Sequence, residues 1–391
     1  MTALVIRGGR VHIDGSWVDA EVTIDGSTIS SVGAQFAARP PAFLDATGCS
    51  VLPGFVDLQV NGAVGVDFTS QPERVGEVAA FLVECGVTSF MPTVISSATS
   101  QVVAAVAAIN AWSRENQSSQ THIGARSLGV HLEGPFLNPA RAGAHPVNRL
   151  REPSVAEVRE WRRDDGYSMV TLAPELAHAL DVIEVLVAND VAVCAGHTDA
   201  GPTEMNEAAA AGLRGVTHLF NAMTPMSARV PGPAGATLAG GTLIAGLIVD
   251  GLHVDPAMVR LAWQALGPGR LALVSDAISA LGKGDGQYRV GDTHVIVEGN
   301  AARTADGTIA GSVLRFDDAV RNLMAFTGCE LADASRSASR TPARLAQRKD
   351  IGRIEPGCTA DIVLLDENNR VAATMVAGRV VFDPQQRCTG S

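Results

Sequence analysis

Eight short apolar runs recur through the central part of the chain, and this repetition constrains the fold more than any other feature. Each run is followed by a polar or glycine-rich loop and then by a segment with helical periodicity. Strands that alternate with helices predict a parallel sheet of the α/β class, and eight units in about 270 residues predict a closed (β/α)8 barrel of the TIM type. An open doubly wound sheet is the alternative, but no glycine-rich dinucleotide-binding turn follows the first run. The runs span residues 54–60, 87–94, 127–134, 168–174, 191–197, 215–221, 243–251 and 271–277.

The two ends of the chain have a different pattern, in which alternating apolar residues are punctuated by Gly-Gly and Asp-Gly turns. Residues 4–32 predict antiparallel hairpins, and the same β-rich texture returns at 360–382. We therefore expect a small composite β-sandwich domain built from both termini, residues 1–52 and 357–391. The barrel would then be the inserted domain, residues 53–356.

Composition and charge exclude several classes of partner and location. The chain has 41 acidic and 30 basic residues, a formal net charge of −11, which repels nucleic acid and anionic membranes. Its six cysteines are scattered without a CxxC pair, as is typical of reduced thiols in the cytoplasm. The first apolar run ends at Arg7, too early for a signal peptide, and the apolar stretch 243–249 is far shorter than the roughly 20 residues that cross a bilayer. We therefore predict a cytoplasmic protein that binds neither nucleic acid nor membrane.

Polar side chains stand at the ends of most of the apolar runs. In a barrel of this type the carboxyl ends of the strands and the loops that follow them form the active face, so we expect these side chains to lie close together. They are Gln59 and Asn61 on the first run, His131 and Glu133 on the third, His197 on the fifth, His218 on the sixth, Asp250 and His253 on the seventh, and Asp276 on the eighth.

A glutamate and two histidines suit a catalytic divalent metal, because three protein ligands leave an open position for water. The metal lowers the pKa of that water and polarises a carbonyl group, while a nearby carboxylate moves protons. The residues alone therefore predict metal-assisted hydrolysis. His131 lies two positions before Glu133 and so faces the same side of the strand; it is either a ligand or a partner of the ligands. Asp199 is interpreted as a cap of the following helix.

Eight motifs together carry a family resemblance that covers essentially the whole chain. They are PGFVDLQVNG (53–62), HLEGPFLNP (131–139), AGAH (142–145), GHTDA (196–200), THLFNAM (217–223), VDGLHV (249–254), LVSDA (273–277) and GRIEPGCTADIVLLD (352–366). With them the chain resembles the amidohydrolase superfamily and, within it, the N-acetylglucosamine-6-phosphate deacetylase family.

The resemblance implies a reaction and a role for each matching residue. Glu133, His197 and His218 would hold one divalent metal per subunit, with Zn²⁺ expected and Fe²⁺, Co²⁺ or Mn²⁺ as alternatives. Asp276 would act as general base toward the attacking water and then as general acid toward the leaving amine, and His145 would help the metal to polarise the acetamide carbonyl. The expected reaction converts N-acetylglucosamine 6-phosphate to glucosamine 6-phosphate and acetate, by hydrolysis of a linear amide C–N bond.

The resemblance also implies a substrate-binding set and a homodimer, because some substrate contacts in this family cross a dimer interface. The set comprises Asn221 and Ala222 at the phosphate, Arg229 and His253, with Gln59 and Asn61 on the first strand. Many members of the superfamily have His-x-His where this chain has Gln59 and Asn61. Because neutral amides are weak zinc ligands, we expect one metal ion here and not two.

Two other functions remain open at this point. The first is the same chemistry on N-acetylgalactosamine 6-phosphate, which differs in the configuration of one hydroxyl. The second is a non-catalytic scaffold with the amidohydrolase fold, which would require a broken metal set or a missing base.

Overall fold

The centre of the molecule is a ring of eight parallel strands. The structure, a computed structural model, describes residues 4–13, 15–33, 42–117 and 123–389. Each strand pairs in parallel with the next one along the chain, which confirms the predicted barrel. The strands are β1 (Phe55–Val60), β2 (Val87–Ile95), β3 (Val130–Glu133), β4 (Tyr167–Leu172), β5 (Ala192–Ala195), β6 (Gly215–Val216), β7 (Ile244–Leu247) and β8 (Leu271–Leu273).

The ring closes between its last strand and its first. Val60 forms a parallel bridge with Ala277, and the backbone N–H of Asp276 donates to the carbonyl of Gln59 at 2.9 Å. The barrel strands are buried on both faces, as expected for a parallel sheet covered by helices. This contact brings the polar end of β1 against Asp276, which follows β8 and was predicted to be catalytic.

The described residues form ten α-helices, which surround the barrel or follow it. Asp255 caps the seventh by accepting a hydrogen bond from the N–H of Ala257 at 2.7 Å, and that helix is kinked at Gly267. Within the described ranges no helix is both long enough and apolar enough to cross a lipid bilayer. The helices are α1 (Val75–Leu82), α2 (Thr99–Gln117), α3 (Val155–Val158), α4 (Ala179–Ala188), α5 (Pro202–Ala211), α6 (Gly232–Leu238), α7 (Pro256–Arg270), α8 (Phe316–Thr327), α9 (Leu331–Ala338) and α10 (Arg340–Leu345).

Segments from both ends of the chain build two further sheets, which share one buried apolar cluster. The five-stranded sheet has the order Cys388–Thr389, Ala42–Asp45, Leu4–Arg7, Glu21–Asp25 and Thr28–Gly33. The six-stranded sheet has the order Arg379–Phe382, Val371–Val376, Ile362–Leu365, Ser50–Pro53, Arg10–Ile13 and Ser16–Asp19. Sheets that pack face to face in this way form the β-sandwich that the terminal patterns predict.

One detail of the predicted hairpins is wrong. Leu4–Arg7 and Arg10–Ile13 do not pair across Gly8 and Gly9 but lie in different sheets, where each also has a parallel neighbour. The chain crosses between the sheets at Gly8 and Gly9. Glycine is required at both positions, because Gly8 has φ +85° and a Cβ on Gly9 would meet the Ala46 Cβ at 2.8 Å. The alternating apolar residues do form strands, as predicted, but these strands belong to both sheets of the sandwich.

A four-stranded antiparallel sheet is inserted between β8 and α8 on the active face. Its strands are Gly286–Val290, Thr293–Glu298, Ala301–Arg303 and Ile309–Ser312. It is held against the barrel by Asp67, whose carboxylate accepts a hydrogen bond from the N–H of Gly291 at 3.0 Å. This sheet is not among the predicted elements, although alternating apolar residues and the Gly-Asp and Gly-Asn turns at 291–292 and 299–300 are signals for it.

Candidate metal centre and active site

Three side chains from three barrel strands converge at the carboxyl end of the barrel. Glu133 is the last residue of β3, and His197 and His218 lie two residues beyond β5 and β6. Glu133 Oε1 is 2.9 Å from His218 Nε2 and 3.3 Å from His197 Nε2, and the two Nε2 atoms are 3.1 Å apart. All three side chains are buried.

The backbone at these positions is unusual for residues with a side chain. His197 has φ +50°, His218 has φ +32° and Asp276 has φ +51°. Non-glycine residues adopt this left-handed region rarely and at an energetic cost, and such residues cluster at functional sites. The backbone therefore adopts an energetically costly conformation at His197, His218 and Asp276, which follow three of the barrel strands.

The chemistry of the three donors fits a divalent cation. His197 Nδ1 lies 2.7 Å from the carbonyl oxygen of Arg141; a carbonyl only accepts, so Nδ1 carries the proton and Nε2 presents a lone pair. Burial lowers the pKa of His197, which favours the neutral ring. Burial opposes ionisation of Glu133, but the imidazoles of His145, His197 and His218 surround its carboxylate and lower its pKa well below the usual value. One carboxylate and two imidazoles form the donor set of a catalytic zinc or related ion.

Asp276 is a second buried carboxyl group beside this trio. Its side chain accepts a hydrogen bond from Asn61 Nδ2 at 2.8 Å. Burial, together with the negative charge of Glu133, raises the pKa of Asp276 to about 6. A carboxyl group with a pKa near the working pH can both accept and return a proton.

His145 reaches the same cavity from the loop after β3. The backbone N–H of Ser96 donates to His145 Nδ1 at 3.3 Å, and the Ser96 hydroxyl lies 2.9 Å from the same nitrogen. Because Nδ1 accepts from a backbone N–H, the ring proton is on Nε2, which lies 3.6 Å from Glu133 Oε2. His145 therefore offers an N–H donor beside the trio, and an N–H donor is the kind of group that stabilises charge on a carbonyl oxygen.

These groups line one cavity of about 310 Å³ at the carboxyl end of the barrel. Its lining within the described chain contains no lysine or arginine. The lining comprises Asn61, Ile95, Glu133, Gly143, Ala144, His145, His197, His218, Asn221, Ala222, His253, Asp276 and Val290, with residues 308–311 of the inserted sheet.

His253 lines the cavity in a fixed orientation. Its Nδ1 lies 2.7 Å from Asp250 Oδ2, and Asp250 Oδ1 accepts from the backbone N–H groups of Leu252 and His253, both at 2.8 Å. The Asp250 contact engages Nδ1 and leaves Nε2 as the ring nitrogen free to meet a ligand. Arg229 does not line this cavity; it lies in the exposed segment 225–230.

A family model matches residues 50–381, and it describes the amidohydrolase family. The chain belongs to the amidohydrolase family. This confirms the resemblance that the motifs carry.

Amidohydrolases named for amino-sugar deacetylation are similar to this chain over nearly its full length. An N-acetylglucosamine-6-phosphate deacetylase of Bos taurus is 36% identical and the match covers 98% of this chain and 95% of that protein. An N-acetylgalactosamine-6-phosphate deacetylase of Shewanella is also 36% identical, over 91% of this chain and 89% of the relative. A mutant N-acetyl-D-glucosamine-6-phosphate deacetylase of Mycobacterium smegmatis, solved in complex with N-acetyl-D-glucosamine-6-phosphate, superposes with a TM-score of 0.89. It is 32% identical, with 97% of this chain and 100% of that chain covered.

The first barrel strand of this amidohydrolase carries amides that serve the neighbouring carboxylates. Gln59 Nε2 donates to Glu133 Oε1 at 3.0 Å, and Asn61 Nδ2 donates to Asp276. Asn61 lines the cavity, whereas Gln59 is buried beside Glu133 and is not among the lining residues. The NH₂ group of an amide has no lone pair for a cation, so each of these side chains could offer a cation only its neutral oxygen.

Two residues near the trio have roles that the sequence left open or assigned differently. His131 is fully buried and belongs to a separate network: its Nε2 lies 2.8 Å from Thr171 Oγ1 and its Nδ1 lies 3.2 Å from the Leu58 carbonyl. Burial lowers the pKa of His131 to about 4, so it is a neutral side chain of the barrel interior. Asp199 is not the cap of the next helix, whose N-cap is Gly201; it contacts Arg141 instead.

The cavity wall formed by the inserted sheet is the part of the site that sequence reasoning missed. Val290 and residues 308–311 lie more than ten positions beyond the last barrel strand, and none of them is a titratable or metal-binding side chain. Apolar lining residues are typical of ligand sites, but only their position after folding distinguishes them from other apolar residues.

Proposed function

We propose that the protein hydrolyses the acetamide group of N-acetylglucosamine 6-phosphate to give glucosamine 6-phosphate and acetate. The observation that carries this proposal is the convergence of a Glu-His-His donor set with Asp276 and His145 in one cavity. A non-catalytic scaffold would lack part of this set, and the chain keeps all of it. The named activities of its relatives support the same reaction.

In the proposed mechanism one divalent ion, with zinc expected, would be held by Glu133, His197 and His218. When bound, the ion supplies Lewis acidity that activates water and polarises the amide carbonyl. Asp276 accepts the proton of the attacking water and returns it to the amine nitrogen as the C–N bond breaks. His145 donates its Nε2 hydrogen to the carbonyl oxygen, on which negative charge develops.

The phosphate end of the substrate would be bound by Asn221, the backbone of Ala222, and His253. Because no lysine or arginine lines the described cavity, the permanent positive charge must come from outside it. We propose that Arg229 supplies this charge across the interface of a homodimer, since it lies outside the cavity in the exposed segment 225–230 and a guanidinium suits a phosphate. We also propose a cytoplasmic location, and a division into a composite sandwich domain (1–52 and 357–391) and a barrel domain (53–356).

Arg229→Ala provides the test of phosphate recognition. We expect kcat/KM for N-acetylglucosamine 6-phosphate to fall by roughly 10²-fold, because a charge-assisted contact to phosphate is worth about 1.5–3 kcal/mol, and activity on unphosphorylated N-acetylglucosamine to stay nearly constant. Arg303→Ala, an exposed arginine on the inserted sheet, serves as the control. Equal losses on both substrates would show that Arg229 acts on folding and not on the phosphate.

The same reaction on N-acetylgalactosamine 6-phosphate is the second candidate, because one relative named for each sugar is 36% identical to this chain. Steady-state kinetics on the two sugar phosphates decides between them. We expect the larger kcat/KM on the gluco substrate; a larger value on the galacto substrate would reverse the assignment, and no acetate release from either would contradict the proposed function.

A further inference from the structure

The orientation of the His197 ring depends on the loop that follows β3. Its Nδ1–H donates to the carbonyl oxygen of Arg141 at 2.7 Å. Arg141 ends a short 3-10 turn, Pro139–Arg141, in the loop after β3. Partners that accept from the second nitrogen of a ligating histidine fix its ring and typically change metal affinity by 10–100-fold. The position of the Arg141 carbonyl is therefore a determinant of the metal centre.

The side chain of Arg141 is joined to two other loops of the active face. Its guanidinium forms an ion pair with Asp199, two residues after His197, and lies 3.4 Å from the hydroxyl of Thr224. The Thr224 hydroxyl also donates to Asp199. Arg141, Asp199 and Thr224, which we name the loop staple, thus come one each from the loops after β3, β5 and β6, the strands that carry the three ligands.

Backbone hydrogen bonds run between the same three loops. The N–H of Asn138 donates to the carbonyl of His197 at 3.0 Å, and the N–H of Thr198 donates to the carbonyl of Ala222 at 3.2 Å. The N–H of Thr224 in turn donates to the carbonyl of Thr198 at 3.3 Å. A displacement of any one loop is therefore transmitted to the backbone next to His197.

We propose that Arg141, Asp199 and Thr224 are positioning residues that set the affinity of the Glu133–His197–His218 site for a divalent ion. This inference rests on the metal site of the proposed function. The Arg141 and Asp199 side chains are 32% and 35% exposed, and pairs with this exposure contribute little to folding free energy. Their effect should therefore appear in ion binding and not in the stability of the metal-free protein.

The test measures zinc affinity of the metal-free full-length protein by competition with a chromophoric chelator. We expect Arg141→Ala and Asp199→Ala each to weaken zinc binding by about 10-fold or more, with little change in the melting temperature of the metal-free protein. The double variant should bind zinc no more weakly than the weaker single variant, because both substitutions break one unit. Arg141→Lys, which keeps the charge, should recover part of the affinity.

Glu77→Ala is the matched control, because Arg74 and Glu77 form an exposed ion pair at 2.7 Å far from the site in sequence, and it should leave zinc affinity unchanged. Co²⁺ added in place of Zn²⁺ should give a visible spectrum that changes in the staple variants and not in Glu77→Ala. Unchanged zinc affinity in Arg141→Ala and Asp199→Ala would overturn the inference, as would losses that match an equal loss of metal-free stability. If the unmodified protein bound no divalent ion, the proposed function itself would fail, so the two failures are distinguishable.

Discussion

Asp276→Asn is expected to lower kcat by about 10²–10⁴-fold, the range typical of a positioned acid–base group, while the bound metal is retained. The amide keeps the shape of the side chain but can neither accept a proton from water nor return one to the leaving amine. Asp276 is not one of the three converging donors, so metal analysis of the variant should match the unmodified protein. Near-normal turnover would contradict the role of Asp276.

The pH profile gives a second readout of the same group. Burial, together with the charge of Glu133, raises the pKa of Asp276 to about 6, so the carboxylate needed as a base forms only above that pH. We expect kcat/KM of the unmodified protein to rise with pH through about 6, and Asp276→Asn to lose this acid limb. Asp306→Asn, at an exposed carboxylate, should keep it. An unchanged limb in Asp276→Asn would assign the titration to another group.

Chelation of the divalent ion is expected to abolish activity, and one equivalent per subunit should restore it. The three donor atoms lie within 3.3 Å of one another, and a three-residue set that leaves one position for water is the usual arrangement of a catalytic zinc site. The measurement is elemental analysis after dialysis, followed by titration of the metal-free protein with Zn²⁺, Fe²⁺, Co²⁺ or Mn²⁺ while acetate release is monitored. Full activity in the metal-free protein would contradict the mechanism.

The expectation of one ion and not two depends on the first barrel strand. Gln59 donates to Glu133, and Asn61 donates to Asp276, so the NH₂ groups of both amides face carboxylates and only neutral amide oxygens remain for a second ion. Neutral donors of this kind do not offset the repulsion between two dications about 3.5–4 Å apart. Two equivalents per subunit that both resist dialysis would show that this argument is wrong.

The apolar runs and the polar residues at their ends were sufficient to predict the barrel and to place Glu133, His197 and His218 at one end of it. In parallel strands the side chains alternate between faces, and all the carboxyl ends meet at one edge. A polar residue at the end of an apolar run, such as Glu133 or Asp276, therefore has its location fixed by local pattern alone. The same logic located His197 and His218 before any contact was known.

The neighbours of those residues could not be predicted in the same way. His131 and Glu133 share a strand face, yet His131 bonds Thr171 inside the barrel while Glu133 meets His197 and His218. Asp199 joins Arg141 although the two are far apart in the chain, and the inserted sheet becomes a wall of the cavity. These contacts arise between segments distant in sequence, so they depend on how loops pack after the barrel closes. Periodicity reports the face and the end of each strand, but it carries no information on loop packing.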